Sequence, residues 1–306
     1  MQNIIECARQ RSIQQLFNIN SFSSFWSEWK RIINHLLSDT PKANQIYNLG
    51  DHLRDIFRTT RQSGRSQNSI VSGGVCWEAL ICWYLNLCLV NRRTFVIKHH
   101  KDLIPDCIKN AITVNYGNFQ SNTESDLIAI TFPDKEEYCC DKLAINDTRP
   151  QEYQFLSVLN ALSARDFADL EIHIIQCKTN WNDNAQIPML WDAIYSATKF
   201  RNNITVGANG YSIHDCSRFS YSFVTVPSNL LKKNNRDTYT PTSTAVLRVR
   251  NLSGGNYWGI QSKSGVASSV KEILERNLKN GHSLGILNTI HLALQELHTT
   301  FAYFRL

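Results

Sequence analysis

The chain has 306 residues, of which 42% are hydrophobic and 19% charged. That length gives one large domain or two ordinary ones with a sizeable core, and the composition excludes a disordered or fibrous protein. The formal net charge of +6 suits a polyanionic partner without requiring one. Nine cysteines without a CxxC pair lack the spacing of a zinc site. The first fifteen residues contain no apolar secretion segment, and the longest apolar run, residues 75–90, falls short of the ~20 residues a bilayer span requires. The expected location is the cytoplasm, with reduced thiols.

Residues 1–60 carry helical patterns. Phe25, Trp26, Trp29, Ile32, Ile33, Leu36 and Leu37 recur at helix spacing, with Ser23 or Ser24 as the cap. A further helix is expected over 43–58, and no catalytic cluster stands out here. The layer would pack on the core or form a dimer surface. Residues 58–72 are polar and basic, with Gly64 as a breaker. Arg58, Arg61 and Arg65 are candidate phosphate contacts, since the guanidinium fork donates in pairs, or else they line a solvated loop. Residues 73–90 are apolar on all sides, which predicts a helix buried in the core. Glu78 is the one acidic or basic residue between Ser66 and Asn91. It needs a partner or a shifted pKa, and a metal ion or a lysine on a neighbouring strand would serve.

Arg92 and Arg93 follow, then a strand over 94–98 and the densest basic run, Lys98-His99-His100-Lys101. We expect Arg92, Arg93, Lys98 and Lys101 to face phosphates. Another strand is expected at 111–116, a polar turn at 117–123, and a strand at 125–130 with Asp126 at its entrance. Residues 136–146 suggest a strand or hairpin, and 150–166 a helix started by Pro150. Residues 172–175 are a short apolar run that ends in Gln176-Cys177-Lys178. On a strand Gln176 and Lys178 share a face, roughly 6.6 Å apart. Burying an unpaired lysine is expensive, so a carboxylate, a metal or a phosphate should come to that face. Asp126 is the preferred carboxylate because it opens an apolar strand. Asp141 and Asp147 are rivals because they lie closer in sequence to Gln176.

Asn180, Asn182 and Asp183 occupy the following turn and would either touch a substrate backbone or cap the next helix. That helix should span 187–200 and lead to a strand at 204–207. From 211 the pattern turns β-rich, with strands at 221–228, 244–252 and 256–263. The loop 228–244 carries Lys232, Lys233 and Arg236 and is long enough to be mobile or functional. Two helices, 266–278 and 283–301, close the chain.

The order of a helix with Glu78, a strand opened by Asp126, a strand ending in Gln176-x-Lys178 and then a helix resembles the PD-(D/E)XK nucleases, in particular the Type II restriction endonucleases. The resemblance covers about residues 73–210. Ser125 stands where that family has proline, and Gln176 where it has a carboxylate; glutamine there resembles a minority variant of the pattern. The resemblance implies an α/β (α+β) fold with a restriction-endonuclease-like core, a central mixed β-sheet flanked by helices, and extra helical N- and C-terminal elements. The strand at 204–207 would complete that core. It divides the chain into an N-terminal helical region (1–70), a nuclease core (71–210) and a C-terminal β-rich and helical region (211–306), within one compact unit. It implies Mg2+-dependent hydrolysis of double-stranded DNA at a specific sequence. Asp126, Gln176, the Cys177 carbonyl and Glu78 would hold Mg2+, and Lys178 would orient the attacking water. Arg58, Arg61, Arg65, Arg92, Arg93, Lys98, Lys101, Asn180, Asn182, Lys232, Lys233 and Arg236 would contact DNA. A homodimer and a companion DNA methyltransferase are the expected partners.

Overall fold

The structure is a computed structural model that describes residues 3–59, 69–98, 103–121, 125–139, 151–179, 204–226, 231–233, 236–238, 256–258, 266–267 and 269–306. Helix α1 (Ile4–Phe17) is capped by Asn3, whose side chain accepts the Glu6 N–H at 2.9 Å. Helix α2 (Asn20–Leu37) starts ahead of the expected serines, and Ile19 occupies its cap position. Ser23 instead donates its hydroxyl to the Phe17 carbonyl, tying α2 to the end of α1. The helix expected over 43–58 is broken into α3 (Ala43–Asn48), a 3-10 turn (Leu49–Asp51) and α4 (Leu53–Arg58). Gly50 in that break touches the next helix: a Cβ there would meet the Tyr84 hydroxyl at 2.5 Å. Helix α5 (Ser69–Cys88) runs through the core, and Glu78 is the one residue from 76 to 90 that is not fully buried. Aromatic rings fill the space between α2, α4 and α5. Trp26 meets Trp83 edge-on at 5.0 Å, and Phe57 meets Trp77 at 5.2 Å.

The strands are β1 (Thr94–Lys98), β2 (Val114–Tyr116), β3 (Phe119–Ser121), β4 (Leu127–Thr131), β5 (Glu171–Lys178), β6 (Ile204–Val206), β7 (Arg218–Thr225), β8 (Leu231–Lys233), β9 (Arg236–Thr238), β10 (Asn256–Trp258) and β11 (Val266–Ala267). The remaining helices are α6 (Asp106–Ala111), α7 (Glu136–Cys139), α8 (Gln151–Arg165), α9 (Glu272–Arg276) and α10 (Ile286–Ala293). A mixed sheet runs β1-β4-β5-β7 and continues into the short β10 and β11. Strands β1, β4 and β5 are antiparallel neighbours, and β7 lies parallel to β5. Helices cover both faces. Val96, Leu127, Ala129, Ile175, Cys177 and Val224 belong to the core shared with α2 and α5. Phe95, Ile97, Ile128, Ile130, Ile172, Ile174 and Phe223 belong to the core shared with α6 and α8. Strands covered on both faces need unbroken apolar runs rather than alternation, and these have them.

The strand at 204–206 does not join that sheet. It pairs antiparallel with β2 in a separate three-stranded sheet, β3-β2-β6. Only three residues long and partly exposed, β6 cannot fill a position buried on both faces. Strand β7 can, since Tyr221–Thr225 are buried throughout, and it takes the place beside β5. Residues 136–139 form a helix, not a strand, with the Tyr138 hydroxyl donating to Asp166 Oδ2 at 2.9 Å from inside the core. Helix α6 takes the first residue of the strand expected at 111–116. The loop expected over 228–244 contains the β8–β9 hairpin, and residues 266–267 are a strand rather than the start of a helix. The two closing helices are shorter than their apolar patterns suggest. The helix expected at 187–200 and the strand at 244–252 lie outside the described residues. No helix among the described residues is long and apolar enough to cross a membrane.

Strand β1 is one edge of the sheet, and the outward backbone groups of Val96 and the Thr94 carbonyl are satisfied by side chains. The Asn86 amide holds Val96 from both sides, accepting its N–H at 2.9 Å and donating to its carbonyl at 2.8 Å. Ser12 also donates to the Val96 carbonyl. Arg9 donates to the carbonyls of Thr94 and Arg92, each at 2.8 Å, and pairs with Glu6 at 2.9 Å. All of these groups are buried, where an unmet backbone polar group is costly.

Candidate active site

The register of the sheet decides which charged residues meet. Leu127 lies opposite Ile175, so the next pair along is Asp126 and Gln176. Lys98 lies opposite Leu127 on the other side. Glu78, Lys98, Asp126, Gln176 and Lys178 therefore gather at one end of the sheet. Strand alternation then sorts them. Asp126 follows the parity of Ile128, and Gln176 and Lys178 that of Ile174, so these three share the face toward α6 and α8. Lys98 follows the parity of Val96, on the face toward α5, where Glu78 meets it.

Asp126 is held by the strand it faces. Its Oδ2 accepts the backbone N–H of Cys177 at 2.8 Å and lies 3.9 Å from Lys178 Nζ. Strand β4 begins only at Leu127, so this carboxylate serves the end of β5 beyond the last ladder pair. The side chains of Asp126 and Lys178 are 20% and 22% exposed, which leaves both reachable from solvent at the margin of the core. Gln176 is 2% exposed. The Cys177 side chain turns into the α5 core, where burial pushes its thiol well above the ordinary range; its backbone stays at the site.

Glu78 reaches Lys98 across 2.5 Å. Burial pushes the Glu78 carboxyl above the usual carboxylate range; the Lys98 ammonium opposes that rise and the nearby Asp126 charge adds to it. Two carboxylates and two ammonium groups thus gather at this end of the sheet, one ion pair on each face, and the pairs feel each other's charge. Oxygen donors with cationic neighbours at the margin of a core can hold a hard cation, fix a phosphate, or position a water.

No protein-family model, no curated protein and no solved structure matches this chain.

The other candidates fall elsewhere. Arg92 is buried and donates to the carbonyls of Leu284 and Lys279 at 2.8 and 2.5 Å, so it joins the C-terminal region to the sheet instead of facing out. Burial lowers its pKa to about 10. Arg93 pairs with Asp134 at 3.3 Å, and both arginines sit at the opposite end of β1 from Lys98. Arg58 is exposed in the last turn of α4. The register of the β8–β9 hairpin pairs Lys232 with Asp237 and Lys233 with Arg236; their side chains lie outside the described set. Arg61, Arg65, Lys101, Asp141, Asp147, Asn180 and Asn182 also lie outside the described residues.

One buried titratable group escaped the sequence reading. His173 points from β5 toward the α5 side, with its ring nitrogens 2.6 Å from the hydroxyls of Ser220 and Ser222 on the neighbouring strand. Burial lowers its pKa to about 3. The unfolded chain, with an ordinary histidine near 6.5, then binds a proton that the folded chain refuses. Stability is unaffected above about pH 6.5 and falls as the pH drops below it, by up to about 1.4 kcal/mol per pH unit. Urea unfolding at pH 8, 6.5 and 5 should show that decline, and His173→Gln should flatten it. An equally steep decline in the variant would place the acid lability on another group.

Proposed function

We propose that this protein is a metal-dependent, sequence-specific endonuclease for double-stranded DNA, of the Type II restriction kind and with a restriction-endonuclease-like core. One observation carries the reading: Asp126, Gln176 and Lys178 share a face at one end of the sheet, with Asp126 3.9 Å from the Lys178 ammonium. The Glu78 carboxylate on the buried helix close by supports it.

The donor set suits Mg2+. Two carboxylates, an amide and a backbone carbonyl are hard oxygen donors, and this ion takes few protein ligands because it keeps several waters. Asp126, Gln176 and the Cys177 carbonyl would hold it, with Glu78 reaching the same end of the sheet from the α5 face. When bound, it would acidify a water and neutralise charge at the phosphate. The chain's own residues do the rest. Asp126, pinned by the Cys177 N–H, presents a fixed anionic oxygen. Lys178 orients the attacking water and stabilises the charge that grows on the phosphate. Leu127 and Ile175, buried and paired across the two strands, set the spacing between Asp126 and the end of β5.

A homodimer would match the two-fold symmetry of a palindromic duplex. A cytoplasmic location and a companion methyltransferase that protects the host's own sites fit the same reading. Gln176 favours one alternative, a DNA-binding protein whose site has lost a carboxylate and with it the power to cleave. Incubation of the purified protein with unmethylated plasmid and Mg2+ separates the two. A discrete set of fragments is expected, absent with EDTA. Intact plasmid at stoichiometric protein, with duplex DNA still bound, would replace the nuclease reading with the binding one.

A further inference from the structure

The end of the sheet is already neutralised from within. Lys98 Nζ lies 2.5 Å from Glu78 Oε2, and the side chains are only 14% and 18% exposed. Lys178 lies 3.9 Å from Asp126 Oδ2 on the other face. Two carboxylates are thus matched by two ammonium groups among the described residues. Oxygen ligands that receive a divalent cation work best with surplus negative charge, and here each carboxylate has a cation beside it before any metal arrives. Sequence alternation alone puts Lys98 in this position: it shares the face of Val96, and that face is covered by α5. Nothing in the proposed chemistry uses Lys98, yet it makes the tightest ionic contact of the cluster.

We propose that Lys98 is a built-in competitor for the divalent cation. It holds Glu78 in place while no cation is bound, and it must leave Glu78 before an ion can use that carboxylate. The proposal rests on the nuclease reading above. A lysine suits the task better than an arginine, because an ammonium on a flexible four-carbon stem is held by point charge and not by a bidentate fork. Once displaced, it can swing toward solvent or toward the substrate's phosphate. Lys98 is therefore a positioning residue that sets the cation concentration at which the site fills.

The test is a cation titration, read beside plasmid cleavage by the wild type. Thermal unfolding of the whole protein is followed against Mg2+, and separately against Ca2+, at about pH 8, well above the usual carboxylate range. Wild-type protein should be stabilised with a measurable half-point. Lys98→Met should melt lower without cation, gain more on adding it, and reach its half-point at a cation concentration about tenfold lower or less; an opposite charge at this range biases a carboxylate by one or more pKa units. Lys98→Gln guards against a misfolded methionine variant, and Lys98→Arg, which keeps the charge, should titrate no more tightly than wild type. Half-points that stay unchanged or rise in the Met and Gln variants, with wild type still cleaving plasmid, overturn the competitor role alone. Wild-type protein that neither cleaves plasmid nor responds to either cation overturns the nuclease reading itself.

Discussion

Asp126→Asn should fold like the wild type and cleave DNA slower by about 10²–10³-fold or more, the cost of removing a preorganised charged group from the reacting centre. The substitution keeps shape and keeps an oxygen that can accept the Cys177 N–H now 2.8 Å from Oδ2. It removes the charge that faces Lys178 and would bind the ion. On the proposed nuclease reading, Lys178→Ala should cause a loss of similar size while leaving duplex binding intact, because the ammonium would act on the transition state more than on the bound substrate. Plasmid cleavage, gel-shift binding and a thermal melt on each variant separate the effects. Wild-type cleavage in either one removes that residue from the site. A melt lowered by more than a few degrees in Asp126→Asn would show instead that the carboxylate's main task is to terminate β5.

The largest effect on stability is expected at Arg9. Its guanidinium is fully buried, pairs with Glu6 and donates to the carbonyls of Thr94 and Arg92. Glu6 in turn accepts the N–H of Asn91 at 2.8 Å. Arg9→Ala leaves a buried carboxylate without its cation, a change that costs about 3–5 kcal/mol. For a chain of this size that corresponds to a fall in melting temperature on the order of 10 °C. The penalty belongs to the orphaned partner, so Glu6→Gln combined with Arg9→Met should recover part of it. Urea unfolding of the two single variants and the double variant measures the coupling directly. A loss below ~1 kcal/mol for Arg9→Ala would mean that the pair is solvated and the fold does not depend on it.

Local chemistry was legible in the sequence, and so was the approach of Asp126 to Lys178; most other non-local pairing was not. Strand β5 announced itself through Ile172, Ile174 and Ile175, since a run of isoleucines bounded by polar residues needs burial. The solitary Glu78 pointed to a partner for the same reason. The identity of that partner was hidden. Lys98 belongs to a run with His99, His100 and Lys101, and a basic run reads as one patch. On a strand, however, successive residues part company, so Lys98 turns to α5 with Val96. Arg92 misled in a related way: a side chain that satisfies carbonyls of residues nearly two hundred positions away looks, in sequence, like any surface arginine, and Arg93 is taken up by Asp134. The strand at 204–206 was found but given the wrong neighbour, because pairing depends on which strand can be buried on both faces. The Glu6–Arg9 pair went unnoticed because spacing of three on a helix also suits an exposed pair.

The side-chain seal on β1 has a consequence for association. Exposed strand edges are templates on which another chain can add a strand, which is the route to open-ended aggregation as well as to peptide capture. With Val96 clasped by Asn86 and Ser12, and the carbonyl of Thr94 taken by Arg9, those positions offer an incoming strand no free backbone. Continuous β-augmentation is thereby closed off along this margin. A second copy of the chain, or any extended peptide, finds no backbone to pair with at these positions and must be received elsewhere.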